Sequence, residues 1–151
     1  MTSANYKDIA SKIKFEGRAF INGKYVDAID GKKFETINPA TGDVLCSVAQ
    51  CSVKDVDLAV KVSRKAFNSG VWSRTSPEFR KDILLKFAEL LRRDGVENSV
   101  LECVDTGKLI GDCINEVAND APMHFQWYGE LIDKVFGKVG PTEPSLTSLI
   151  V

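Results

Sequence analysis

At Ser52 the hydrophobic period of this sequence changes from two residues to between three and four, and that change sets the order of the fold. Ahead of it, residues 18–49 read as short strands. Phe20-Ile21-Asn22-Gly23-Lys24-Tyr25-Val26 holds two apolar segments around Asn-Gly, the pair that accepts the positive φ of a tight hairpin turn. Phe34-Glu35-Thr36-Ile37 and Val44-Leu45-Cys46-Ser47-Val48 flank Asn38-Pro39-Ala40-Thr41-Gly42-Asp43, a run rich in turn chemistry. Short antiparallel pieces of this kind suit the margin of a larger sheet. A helix candidate near Tyr6–Ile13 precedes them.

Beyond Ser52 the helical signals are regular. Ser52 is an N-cap with Asp55 three residues on, a capping-box pattern. Val56, Ala59, Val60, Ser63 and Phe67 fall on one helical face that stops near Gly70. Ser76-Pro77-Glu78 opens the next helix, with proline where its missing N–H costs nothing. Ile83, Leu84, Phe87, Leu90 and Leu91 form its expected buried stripe, and Arg80, Lys81, Lys86, Arg92 and Arg93 are expected to face water. A shorter helix carries Val96, Val100, Leu101 and Val104 and ends before Gly107. A long helical pattern runs from Ile110 to about Val135, kinked or broken at Pro122. Gly140-Pro141-Thr142-Glu143-Pro144 then reads as a rigid connector and Ser145–Val151 as a strand. A natural domain rarely finishes on such an apolar edge, so the chain is expected to be truncated within that strand.

Composition excludes several classes. With 151 residues, 44% hydrophobic and 27% charged, the chain is one soluble domain in size and make-up. Twenty basic and 21 acidic side chains leave a net charge of −1. No clustered Lys/Arg footprint points to nucleic acid or to an anionic membrane. Residues 1–14 carry no apolar core of a secretory signal, and no apolar run approaches the roughly 20 residues that span a bilayer. Cys46, Cys51, Cys103 and Cys113 show no metal-finger spacing, and His124 is the only histidine. The expectation is four reduced, mostly packed thiols in a cytoplasmic protein.

The residues alone offer no active site. There is no glycine-rich phosphate loop and no G-x-S-x-G elbow. Ser11-x-x-Lys14 lies in the polar N-terminal segment and is read as chance. His124 is expected to be a partly buried helix residue rather than a base.

A set of motifs in register carries further. Phe20-Ile21-Asn22-Gly23, Phe34–Gly42, Asp55-Val56-Asp57, Ala59-Val60, Ala66-Phe67 and Gly70-Val71-Trp72-Ser73 resemble, in order and spacing, the opening of the aldehyde dehydrogenases. Arg80, Ile83-Leu84, Phe87-Ala88, Asp105-Thr106-Gly107-Lys108, Trp127-Tyr128 and Ile132-Asp133-Lys134 continue the likeness from about residue 18 to 151. In detail the sequence is similar to enzymes that oxidise γ-glutamyl-aminobutyraldehyde, guanidinobutyraldehyde and related aminoaldehydes. Leu109, where the family usually has proline, is a departure, and Cys103 and Gly111 are unusual.

The resemblance implies an α/β fold. Residues 1–17 would be an N-terminal segment and 18–136 the outer, peripheral part of the NAD-binding domain, with short antiparallel strands, then packed helices, and an incomplete Rossmann-like sheet. Residues 137–151 would begin the oligomerisation strand of a homo-oligomer. It implies an NAD- or NADP-dependent enzyme that oxidises an aldehyde to a carboxylate through a cysteine thiohemiacetal. The family's cysteine nucleophile, glutamate base and cofactor-binding turn match nothing in these 151 residues, so the chain alone is expected to be inactive and to bind no dinucleotide. By the same resemblance, Thr36, Ile37 and Asp105 match ligands of a monovalent cation, and Asp120, seven residues before Trp127, matches a residue at the mouth of the substrate tunnel. The competing reading is a non-catalytic protein that binds dehydrogenase subunits, or a remnant without stable function.

Overall fold

The computed structural model describes residues 3–150. Helix α1 (Ser3–Lys12) leads into two hairpins, β1 (Ala19–Ile21) with β2 (Lys24–Val26) and β3 (Lys33–Ile37) with β4 (Val44–Ala49). Helices α2 (Val53–Ser69), α3 (Pro77–Arg93) and α4 (Gly95–Thr106) follow. Next come α5 (Ile110–Cys113), a π-helical segment (Ile114–Asp120) and α6 (Ala121–Leu131), and last a ribbon of β5 (Lys138–Gly140) and β6 (Ser148–Ile150). Every described sheet is an antiparallel pair. The expected α/β architecture of short strands followed by packed helices holds.

Hairpin geometry follows from the turn residues. Ile21 pairs with Lys24, so Asn22 and Gly23 alone make the loop, at φ 55° and 78°. Positive φ at both central positions matches the right-handed twist of the strands. Phe20 and Tyr25 face each other across the pair, with ring centroids 5.1 Å apart and edge-on. In the second hairpin Thr36 pairs with Cys46 but Ile37 with Val44, which leaves Leu45 as a one-residue bulge. The Asn38 side chain accepts from the Ala40 N–H at 2.9 Å and stiffens the turn between the strands.

Asp55 ties the first hairpin to α2. It is 2% exposed. One carboxylate oxygen accepts from the Ile29 N–H at 2.8 Å, the other from the Ser52 N–H at 2.7 Å and the Ser52 hydroxyl at 2.9 Å. Ser52 thus donates its hydroxyl to Asp55 where the sequence pattern had it accepting from the helix. The Ser52 and Ile29 N–H groups hold the carboxyl pKa below its ordinary 3.8.

The core lies among α3, α4 and the α5–π–α6 run, and small residues build it. Ala88, Val100, Ser99, Pro122 and Cys113 are fully or almost fully buried. A Cβ on Gly95 would lie 2.8 Å from the Ala118 Cβ, and one on Gly129 would lie 3.1 Å from the Leu84 Cβ. The helices therefore approach closely at both glycines. Ile83 and Phe87, expected inside, sit at the exposed margin of the α3–α6 contact, where Phe87 meets Phe125 edge-on at 4.6 Å. Arg80, expected in water, is half-buried and donates to the Thr75 carbonyl at 2.6 Å, bracing the turn into α3. Lys81 reaches across to Asp133 at 2.7 Å. Hydrogen bonds from Lys134 and Lys81 pull the Asp133 carboxyl down to about 2.

The irregularity expected at Pro122 takes the form of π-helical turns ahead of it. The Ala121 N–H donates to the Glu116 carbonyl, five residues back. A proline in an α-helix clashes with the carbonyl four residues earlier, and the wider turn gives the ring room, so α6 continues through it. The helical run stops at Leu131, short of the expected Val135, which is exposed with Phe136. The tail differs as well. The strand expected over Ser145–Val151 starts at Ser148 and folds back on Lys138–Gly140, which the sequence reading had left unassigned; Val151 lies outside the described residues. Helix α1 begins at Ser3, ahead of the Tyr6 start expected.

The α2 face carrying Val56, Val60 and Phe67 is exposed, as are Val139, Leu149 and Ile150 of the ribbon. No described helix is long and apolar enough to cross a membrane.

Candidate functional site

Two of the three nominated ion ligands meet although 69 residues separate them: the Thr36 hydroxyl donates to Asp105 Oδ1 at 3.3 Å. The contact is positioned from both sides. Thr36 stands on β3 at the bulge, and Asp105 on the last turn of α4. That turn closes at Gly107, whose φ is 75° and whose N–H donates to the Cys103 carbonyl at 3.0 Å. A Cβ on Gly107 would lie 2.8 Å from Pro39 Cγ, so the end of α4 rests directly on the turn of the second hairpin. Lys108 holds the exit of the turn, 2.6 Å from Glu116 and 3.5 Å from Glu102, and these carboxylates raise its pKa. Ile37 follows Thr36 past the bulge with an exposed side chain; only its backbone oxygen was nominated.

Thr36 and Asp105 open onto a cavity of about 550 Å³. Its walls include Phe15, Tyr25 and Phe34, with Lys14 and Glu16 at one side. The sequence reading did not anticipate that residues 14–16, beyond α1, would contribute to it. Gly17 explains the crossing: its carbonyl accepts from the Ala49 N–H at 2.7 Å, and a Cβ there would stand 2.1 Å from the Ser47 carbonyl oxygen. Only glycine lets the segment lie this close to β4. Arg18 donates to Glu16 at 2.6 and 2.8 Å, drawing the Glu16 carboxyl down to about 2, and its guanidinium lies 5.6 Å from the Tyr25 ring centre.

Asp120 sits where the π segment meets α6, two helical turns from Trp127, and both side chains are exposed. Among the described residues nothing donates to the Asp120 carboxylate; its backbone carbonyl lies 2.8 Å from His124 Nδ1. His124, expected partly buried, is exposed. The cysteines divide. Cys113 is 0% exposed and burial raises its pKa, which disfavours a thiolate. Cys103 lies 3.1 Å from the Lys108 carbonyl, and Cys51, contrary to the packed reading, is exposed.

The described residues do not fit the phosphates of a dinucleotide. Such a site needs backbone N–H groups at a helix N-terminus reached by a glycine-rich turn. Gln50-Cys51-Ser52 links β4 to α2 without glycine, and the Asp55 carboxylate already occupies that helix end with negative charge.

Comparison with known proteins places this scaffold. The aldehyde dehydrogenase family matches residues 25–151. The aminoacetaldehyde dehydrogenase of Pseudomonas aeruginosa is 36% identical over 151 residues, all of this chain and 30% of that protein. The NADP/NAD-dependent aldehyde dehydrogenase of Escherichia coli is 37% identical over 148 residues, covering 98% of the chain and 30% of its own length. The crystal structure of γ-glutamyl-γ-aminobutyraldehyde dehydrogenase from Burkholderia cenocepacia superimposes with a TM-score of 0.94 at 41% identity, over 99% of this chain and 30% of that one. The chain thus spans about a third of the length of the relatives it matches. With the family match over most of its length and a fold shared with those enzymes, the chain belongs to the aldehyde dehydrogenase family.

Proposed function

We propose that this chain is the outer N-terminal part of the NAD(P)-binding domain of a cytoplasmic, homo-oligomeric aldehyde dehydrogenase that oxidises an aminoaldehyde to the carboxylate. The observation that carries the reading is the family match over residues 25–151, joined to 41% identity with an enzyme named for an aminoaldehyde. Residues 1–17 are an N-terminal segment, 18–136 the peripheral part of the domain, and 137–151 the start of the strand through which copies associate. The contribution of this part to the reaction is scaffolding. NAD or NADP is held by other residues of the whole enzyme, and the thiolate, base and oxyanion donors that must act together are not among these 151.

The chain by itself should therefore give no NADH with any aldehyde above a no-enzyme blank. Turnover that follows the purified chain through size exclusion would sink this reading. The exposed apolar ribbon of β5 and β6 favours a second role, association with copies of the same enzyme, and elution of the chain as a larger species would be its sign.

Within the whole enzyme two site roles follow. Thr36, Asp105 and the Ile37 backbone oxygen contribute to a monovalent cation shell that a further residue completes, so the chain alone binds such an ion weakly. Asp120 draws the cationic end of the substrate to the tunnel mouth through its uncommitted charge. Asp120→Ala should raise KM for cationic aldehydes about tenfold, the scale of one charge partner, and leave neutral aldehydes nearly unchanged. Equal shifts for both classes would remove Asp120 from the specificity argument.

A further inference from the structure

We infer that the cavity between α1, the two hairpins and α4 is a binding site for a small organic ammonium ion. Its construction suits such a ligand better than a bare inorganic one. An inorganic cation released from water requires several oxygens around it. Of the side-chain oxygens lining this cavity, those of Glu16 are engaged by Arg18, which leaves the Asp105 carboxylate and the Thr36 hydroxyl as the principal free acceptors. The remaining wall is largely carbon. Phe15, Tyr25 and Phe34 supply aromatic surface, and at about 550 Å³ the space admits a tetraalkylammonium or a short alkylamine.

An organic ammonium keeps its charge spread over a methylated, weakly hydrated surface, so aromatic faces compensate its transfer from water where they would not compensate a potassium ion. Tyr25 already behaves in this way toward Arg18, whose guanidinium lies 5.6 Å from the ring centre. Asp105 adds the opposite charge at the floor. Lys14, exposed at the cavity side and paired with no acid among the described residues, opposes the ligand. This gives the proposal a sign that a generic pocket lacks: removing Lys14 strengthens binding, and removing Asp105 or Phe34 weakens it. The proposal deepens the ion-site reading of Thr36 and Asp105 but does not need it, since the aromatic walls take no part in an inorganic shell.

The test is an NMR titration of the 151-residue chain with tetramethylammonium chloride, with potassium chloride and tert-butanol as parallel arms. Saturable shifts at residues around Asp105 and Phe34, with millimolar affinity and at least tenfold weaker response to tert-butanol, are expected. Lys14→Gln should tighten tetramethylammonium severalfold, and Phe34→Ala should weaken it while leaving any potassium response unchanged. Lys14→Gln alters an exposed side chain and keeps the test valid if Asp105→Asn or Phe34→Ala fails to fold. No saturable shift with tetramethylammonium, equal shifts with tert-butanol, or weaker binding by Lys14→Gln each overturns the proposal. Potassium binding without tetramethylammonium binding overturns it while sparing the inorganic reading.

Discussion

Gly107→Ala is expected to lower the melting temperature by roughly 5–10 °C, while Gly111→Ala, four residues away, leaves it unchanged or raises it. The two glycines differ in both respects that matter. Gly107 has φ 75°, and a Cβ there would lie 2.8 Å from Pro39 Cγ. The left-handed backbone alone costs a residue with a Cβ about 1–2 kcal/mol. The contact adds to this, because a proline ring has no flexible end to move aside, and displacing it moves the whole Asn38–Asp43 turn. Gly111 has neither burden: nothing lies within 4 Å of its would-be Cβ, and its φ is not positive. Alanine in a helical position is favoured over glycine by about 0.5–1 kcal/mol. Gly107→Asn separates the two causes, since asparagine tolerates the left-handed region but still carries a Cβ. It should recover part of the loss. Since Pro39 lies three residues from Thr36, the same variants should also loosen the Thr36–Asp105 contact. Equal melting temperatures for Gly107→Ala and Gly111→Ala would show that the end of α4 does not rest on the hairpin as the geometry requires.

What could be read from the sequence divides along a physical line. Features fixed by one or two residues acting on their own backbone were legible: the Asn22-Gly23 turn, Ser76-Pro77 at the start of α3, and the glycines that close α2 and α4. Each depends on an intrinsic φ preference or a local hydrogen bond, so neighbours in space cannot revoke it. Features set by the third dimension were not legible. Periodicity put Ile83 and Phe87 inside, but the α3–α6 approach is centred on Ala88 and Gly129, and the larger residues stand at its margin. Hydropathy put Arg80 outside, though its guanidinium answers a carbonyl that only the folded turn presents. Pro122 announced a disturbance but not its kind, since a break, a kink and π-helical turns all relieve the same clash.

The candidate site shows the same division. Thr36 and Asp105 were nominated through resemblance, and the structure brings them together through a bulge and a helix cap whose parts were each visible. Their meeting, and the crossing of residues 14–16 beside them, depends on Gly17 lying against β4, a contact between segments about 30 residues apart. No pattern within a single stretch of sequence encodes that.

Asp55→Ala should produce a loss comparable with that of Gly107→Ala, for a different reason. The carboxylate at this 2%-exposed position accepts from two backbone N–H groups and one hydroxyl, and alanine leaves all three without their partner. Ile29 belongs to the loop after the first hairpin and Ser52 to the start of α2, so the variant should detach that hairpin from the helix. The readout is a lowered melting temperature together with faster hydrogen exchange at the Ile29 amide. Asp55→Asn should recover little, because its NH₂ group turns a donor toward donors while its oxygen can serve only one side. The carboxylate also adds a pH dependence of definite sign. Its folded pKa lies below the ordinary 3.8, first through the Ser52 N–H and then through that of Ile29. Its contribution is therefore fully present above about pH 4 and is lost as pH falls through the folded value. Glu16 and Asp133, both drawn down to about 2, titrate in the same acid range, so the wild-type curve alone cannot isolate Asp55. The difference between wild type and Asp55→Asn can: it should be largest at neutral pH and shrink below pH 4. Parallel curves down to pH 2 would mean that the charge on Asp55 does no more for the fold than a neutral amide, and the hairpin–helix junction would have to be held by the apolar contacts of Ile29 and Leu58 instead.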